Sequence, residues 1–300
     1  MENLATGNSV NNKLIYKDEK ERVSLYKSTQ STFFKINGVV LSESETKCNI
    51  SKTILAKEYG DAVIVEFLIS DSDNGGGLDS LKTVIAFLNK IEAVTHRLVL
   101  KINRIGEVVE VLNKNELLNN WNGLKSDLED DPLFNKMPPE NQKQILKQGN
   151  MEYALGYPYH LGIKNALIYY NIIYPFYGLN LSRENKIISF DSERNSSIIK
   201  HVNIPFDNDA VYYDADTYKE IRIQSKQKKY VDLGAMEKEL KKNYPNFPGK
   251  IKTYENTITH NYELENDSNR IINSKVILHE KIDEAFEINI EHTLKLIQDE

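Results

Sequence analysis

The sequence predicts an α+β fold made mainly of antiparallel β-sheet, with a helical middle segment. Three observations carry that expectation. Residues 1–113 are β-rich with one helix, 114–182 show helical spacing, and 183–300 are β-rich again, as the switch of apolar period from two to 3.6 and back indicates. Turn chemistry appears where the strand patterns break, as at Asn37-Gly38 and Asn103-Arg104-Ile105-Gly106. The last strand pattern is strictly alternating, as suits a sheet with one wet face. A curved sheet or half-barrel would satisfy the pattern, and the three segments could belong to one continuous domain.

In order, Leu14-Ile15-Tyr16 is a short first strand candidate. Phe33 to Leu41 reads as a hairpin around Asn37-Gly38. Asp61 to Ser70 is a nearly continuous, β-branched apolar run, which predicts a strand buried on both faces. Leu78 to Val94 carries Leu81, Val84, Ile85 and Leu88 at helical spacing, with Asp79 or Ser80 as N-cap. Val99 to Asn113 is a second hairpin. Leu98, Leu100 and Ile102 share one face of it, Val109 and Val111 form a stripe, and Gly106 supplies a positive φ.

In the middle, Leu117, Leu118, Trp121, Leu124 and Leu128 lie at helical intervals. Pro138 and Pro139 open a short helix expected to end at Gly149. The stretch from Tyr159 keeps a mostly helical period until Pro175. Short strands follow at Ile187–Phe190, Ile198–Ile204 and Val211–Tyr213, then a hairpin around Ser225–Lys228 and a charged helix at Gly234–Lys242. Tyr244 to Lys250 is a proline-containing connector. Three long strands close the chain at Lys250–Leu264, Arg270–His279 and Phe286–Ile297.

Composition narrows the function classes. The charged fraction is 27% and the hydrophobic fraction 40%, ordinary values for a globular chain. A net charge of -6 with scattered Lys and Arg argues against a nucleic-acid partner. Cys48 is the only cysteine, so no intramolecular disulfide is expected. The first thirteen residues have no apolar core and no run approaches transmembrane length. The expectation is a cytoplasmic chain without membrane insertion, or a periplasmic or secreted one if a leader has been removed.

Catalytic motifs are sparse. Asp71-Ser72-Asp73-Asn74-Gly75-Gly76 resembles the start of a calcium loop, but Gly75 and Lys82 stand where oxygen ligands are needed. Gly75-Gly76-Gly77 fits neither a Walker loop nor a dinucleotide fingerprint. The six histidines show no metal-ligand spacing, so no cofactor or metal is expected. His260 and His292 lie on apolar stripes and could line one ligand pocket. Seven tyrosines and one phenylalanine crowd into Tyr153–Tyr177. Of these, Tyr153, Tyr157, Tyr159, Tyr174, Phe176 and Tyr177 form a candidate partner-binding surface. Together these features point to a non-enzymatic binding or adaptor protein that recognises another protein or an apolar small ligand. The alternative is a hydrolase-like or isomerase-like enzyme, its site assembled from distant strands, with His260 or His292 as acid/base.

Overall fold

The computed structural model describes residues 23–58, 62–75, 82–103, 106–158, 162–163, 166–173, 179, 181, 186–199, 202–245, 247 and 249–299. Among them, eleven strands form one antiparallel sheet in the order β5-β4-β3-β2-β1-β11-β10-β9-β8-β7-β6, which is not closed into a barrel. The strands are β1 Val23–Ile36, β2 Val39–Lys57, β3 Val63–Gly75, β4 Arg97–Ile102, β5 Val108–Val111, β6 Ile187–Asn195, β7 Asn203–Asp214, β8 Tyr218–Gln227, β9 Tyr254–Glu265, β10 Ile271–Ile282 and β11 Phe286–Asp299. Six helices accompany them among the described residues: α1 Lys82–Glu92, α2 Lys114–Glu129, α3 Pro132–Lys136, α4 Pro139–Glu152, α5 Leu167–Ile173 and α6 Leu233–Asn243. The two β-rich parts thus share one sheet, joined where β1 pairs with β11 from Ser24↔Asp299 to Ile36↔Phe286.

Alternation puts the core on one face of the sheet. Tyr26, Ile50, Val65, Leu100, Ile223, His260, Tyr262, Val276 and Leu294 are buried there, while their strand neighbours, apart from the buried Val99, are half-buried or exposed. The expected two-sided burial at 61–70 is therefore corrected. Val63, Val65 and Phe67 are buried, but Leu68 is 44% exposed and Glu66 pairs with Arg97 at 2.6 Å on the other face. A run of β-branched residues reflects strand preference as much as burial.

Turn chemistry is as expected at both hairpins. Asn37 and Gly38 both adopt positive φ, 50° and 77°, as a two-residue turn between strands of native twist requires. At the second hairpin, Gly106 has φ 84° and donates to the Asn103 carbonyl at 3.0 Å. Leu98, Leu100 and Ile102 are buried, but Val109 is exposed while Val111 is buried, so they do not form one buried stripe. β5 is a four-residue edge strand with an irregularity in its pairing at Lys101/Ile102, and the core reaches only its last residue.

Four further boundaries differ from expectation. Ser225 to Gln227 belongs to β8 and does not turn, because no Gly, Pro or Asn breaks the strand there. Ile198 and Ile199 precede β7 in a bend, and the 187–190 and 211–213 candidates grow into β6 and β7. Asn208 keeps the polar centre of β7 inside by donating to the Phe190 carbonyl at 2.9 Å. The helical period ahead of Pro175 yields, among the described residues, the seven-residue α5 and a helical pair at 162–163. Leu14-Ile15-Tyr16 lies outside them.

The helical caps follow their side-chain chemistry. Asp131 accepts from Leu133 N and Phe134 N at 2.9 and 3.1 Å, capping α3, and also takes Lys90 Nζ of α1 at 2.6 Å. Asn113 precedes α2 and ties it back to β4, accepting from Val99 N and donating to Arg97 O, both at 3.0 Å. Leu117, Trp121, Leu124 and Leu128 form the buried stripe of α2.

Gly149 does not end α4, which continues to Glu152. Its role is clearance: a β-carbon there would lie 2.1 Å from Trp121 Cζ2. The indole cannot yield easily. It is buried, donates to Asn150 Oδ1 at 2.9 Å and stacks on Tyr153 at 5.4 Å. We therefore expect Gly149→Ala to destabilise the fold by about 1–3 kcal/mol despite the better helix propensity of alanine, read as a lower midpoint in urea denaturation. An unchanged or raised midpoint would contradict this packing.

Candidate ligand cleft

Three chain segments meet at one end of the sheet. The β1–β2 turn at Asn37 donates its backbone N–H to Ala285 O at 2.8 Å, joining it to the β10–β11 turn. Asp283 in that second turn has φ 47°, and its carboxylate accepts from Thr253 N at 2.7 Å, Thr253 Oγ1 at 3.0 Å and Lys252 N at 3.1 Å. Partial burial pushes this carboxyl up. The donors at Thr253 and Lys252 outweigh that effect and hold it below its ordinary range. The third segment follows α6, where Phe247 N donates to Tyr244 O at 2.9 Å. Tyr244 and Phe247 then lie against Phe286, with ring centroids 4.7 and 5.8 Å apart.

These segments enclose an open cleft of about 870 Å³, lined on its apolar side by Ile36, Tyr244, Pro245, Phe247, Ala285 and Phe286. Its floor belongs to the core cluster that also holds Leu240, Ile282 and Phe286. Beside it, the tip of the β1–β2 hairpin exposes Val39 (62%), Val40 and Leu41 (60%). Sequence reasoning missed the cleft because its wall comes from Tyr244–Lys250, read as a connector. The available signal was two aromatic residues among prolines, adjoining a hairpin turn in space but not in sequence.

His260 and His292 do share one row of the sheet face, flanking Val276 of β10 in register. Both are fully buried, and neither lines the cleft. His292 Nδ1 meets the Asn171 amide nitrogen at 2.8 Å and Nε2 meets Ser28 Oγ at 2.9 Å. Since the amide N–H donates, a neutral ring carries its proton on Nε2 and donates it to the serine. His260 packs beside the rings of Tyr170 and Tyr262 at 5.3 and 6.1 Å. Neither of its nitrogens has a hydrogen-bond partner among the described residues. Burial pushes both imidazoles down to about 3, with the charge of Arg194 adding to the effect at His260. Such rings lack the solvent access and carboxylate partner that acid/base work at an open site would use.

Of the tyrosine-rich segment, Tyr153 is 5% exposed and serves the core against Trp121. Tyr157 is 39% exposed, next to the exposed Met151 and Leu155. Tyr159, Tyr174, Phe176 and Tyr177 lie outside the described residues. Asp71 has φ 51° at an irregularity in the β2–β3 pairing and accepts from Asn49 Nδ2 at 2.9 Å. No group of three or more potential metal ligands occurs among the described residues. No helix among them is long and apolar enough to cross a membrane.

No family model and no curated protein matches the chain. Solved structures that overlap with it in outline include two of different size. One is lipovitellin, described for its lipid–protein interactions, with 8% identity and a TM-score of 0.44 over 94% of this chain. This chain spans only 26% of that one. The other is DynF from the dynemicin biosynthesis pathway of Micromonospora chersina, with 6% identity and a TM-score of 0.23, covering 99% of this chain and 94% of that one. Similarity at TM-scores this low carries no argument about function.

Two outcomes follow from the histidines. His292→Ala removes both hydrogen bonds and leaves a void, and should cost about 2–3 kcal/mol in chemical denaturation. The second concerns pH. Each imidazole is neutral in the fold but protonates near 6.5 in the unfolded chain. Its contribution is therefore complete above about 6.5 and is lost as pH falls toward 3, by about 1.4 kcal/mol per pH unit for each ring. Glu280, raised by burial, has the opposite sign, so the comparison is between variants. His260→Phe should flatten the acid limb of stability against pH by one proton's worth; an unaltered slope would mean that the imidazole titrates normally in the fold.

Proposed function

We propose that the chain is a non-enzymatic binding protein for an apolar or amphipathic small molecule held in the cleft at the end of the sheet. The observation that carries this reading is the aromatic-walled cleft itself. Its volume of about 870 Å³ lies within the range of small-molecule sites. Tyr244, Phe247 and Phe286 offer tilted ring faces rather than a flat patch, which suits a flexible hydrocarbon. Concave apolar surface left open to water favours burial by a ligand, at roughly 25 cal/mol for each Å² covered.

A second reading, recognition of a protein partner, draws on the exposed Met151, Leu155 and Tyr157 at the end of α4. The two surfaces can be separated by one probe. Nile red, a neutral apolar fluorophore, should bind the protein and brighten, and long-chain ligands should displace it. Phe247→Ala should weaken binding about tenfold, equivalent to ~1.4 kcal/mol, with little change in melting temperature because the ring is only half-buried. Leu155→Ser and Tyr157→Ala should leave the affinity unchanged. Absence of binding, or loss of it in the α4 variants instead of the cleft variant, would overturn the proposal.

A further inference from the structure

We infer that the cleft selects an anionic amphiphile, with Lys250 and Lys252 receiving its head group while the aromatic wall takes its tail; the inference rests on the cleft being the ligand site. Four charged side chains line the cleft: Lys250, Lys252, Asp283 and Glu284. Their signs balance, but their commitments differ. The Asp283 carboxylate is occupied by the backbone donors of Lys252 and Thr253 and by the Thr253 hydroxyl. Glu284 is paired with Lys281 at 2.7 Å. Glu237, whose field reaches Lys250, is paired with Lys241 at 2.6 Å. Lys35, at the neighbouring end of β1, is tied to Glu287 at 3.3 Å and lies over the Phe33 ring.

That leaves the two lining lysines as the charges held by no ion pair among the described residues; Lys252 acts on Asp283, and Lys250 on Glu237, only through space. Both are exposed, and neither forms an ion pair among the described residues. The residue between them, Ile251, is buried. Ile251 turns into the core while the lysines on either side of it stay exposed and both line the cleft, so their ammonium groups share its rim. Two cations beside an apolar wall complement a molecule with one anionic end and a hydrocarbon remainder. A neutral lipid would leave them without partners, and a cationic amphiphile would be repelled. The chain's net charge of -6 cannot supply this preference, since an overall acidic field disfavours anions. Recognition must be local.

The test compares three ligands with one tail: dodecanoate, dodecanol and dodecylamine, each titrated below its aggregation concentration into the full chain at neutral pH, by calorimetry and by Nile red displacement. We expect dodecanoate to bind about 5- to 30-fold more tightly than dodecanol, as two charge-assisted contacts allow, and dodecylamine to bind most weakly. The double variant Lys250→Gln/Lys252→Gln should bring dodecanoate down to dodecanol, leaving dodecanol itself unchanged. Added salt should narrow the wild-type gap. Equal binding of the three ligands, or a preference for dodecanoate that survives the double variant, overturns the head-group assignment while leaving the cleft as an apolar site. If none of the three binds, the cleft reading falls and this inference falls with it. Thermal melting of each variant checks that it is folded, and exposed lysines make that outcome the expected one.

Discussion

The pairing of β1 with β11 is the constraint on which the rest of the molecule depends. On either side of that seam, every neighbouring strand in the sheet is also its neighbour in sequence: β1 to β5 on one side, β6 to β11 on the other. Such pairings close short loops. The seam closes almost the whole chain, and its entropic cost must be met by contacts made only in the assembled sheet. Several are visible. His292 on β11 reaches Ser28 on β1 across 264 positions of sequence, and its other nitrogen reaches Asn171 on α5. Lys35 and Glu287 add an ion pair farther along. Because α5 is docked at this seam, its residues serve both core clusters, Tyr169 and Ile172 in one and Leu167 and Tyr170 in the other. A hydrogen-bonded imidazole at this point specifies register, since a slip of one residue would turn the ring to the wet face.

A second buried polar group does comparable work on the C-terminal side. Glu280 of β10 is sealed on the inner face, where burial pushes its carboxyl up while its hydrogen bonds pull it down. It accepts from Ser196 Oγ, from Ser197 N at 2.7 Å and from Tyr254 OH at 3.0 Å. Ser196 Oγ in turn accepts from Ile198 N and Ile199 N at 3.2 and 2.8 Å. The bend after β6 is therefore fixed onto the sheet, and Ile198 and Ile199 are pressed into the second core cluster. Leaving any of these groups unpaired in such surroundings would be costly, so the network favours this one path for the chain between β6 and β7. Sequence alone could not show it, because a Glu in an alternating strand ordinarily marks the solvent side.

That example explains what was legible and what was not. Strand existence was readable wherever alternation was strong, as in β9, β10 and β11, and turns were readable where Asn and Gly permit positive φ, as at Asn37-Gly38. The stripe of α2 was readable from its 3.6 period. Errors arose where a tertiary partner overrode a local rule. Gly149 looked like a helix end but makes room for Trp121. The gap between the 198–204 and 211–213 candidates lies within β7, where Asn208 is held inside by its side-chain hydrogen bonds. The two histidines lie in one row of the apolar face, and their complete burial depends on the packing of neighbouring strands and α5, which alternation does not encode. The cleft's three segments are separate in sequence: β9–β10 pairing brings the segment after α6 to the β10–β11 turn, and β1–β11 pairing adds the Asn37 turn.

The same seam accounts for the position of the cleft. Burial along β1 ends at Ser28 and along β2 begins at Cys48, so the outer half of that hairpin extends beyond the main core. β10 and β11 extend alongside it, bringing their turn against Asn37. Strand ends in this position have satisfied backbone groups, but their inward side chains have outrun the middle helices. Among the described residues, α6 and the segment after it reach this end and cover part of the exposed surface with Tyr244 and Phe247. The residual opening is a consequence of strand length: shorter strands would end within the core, and longer helical cover would fill the gap. An apolar cleft that persists at the end of such a sheet is one the fold could have closed with a few larger side chains. Its lining combines Pro245, Gly249 and Ala285 with the rings, small or rigid residues that leave the space between the aromatics open. The geometry of the seam thus supplies the place, and the choice of small residues keeps it open.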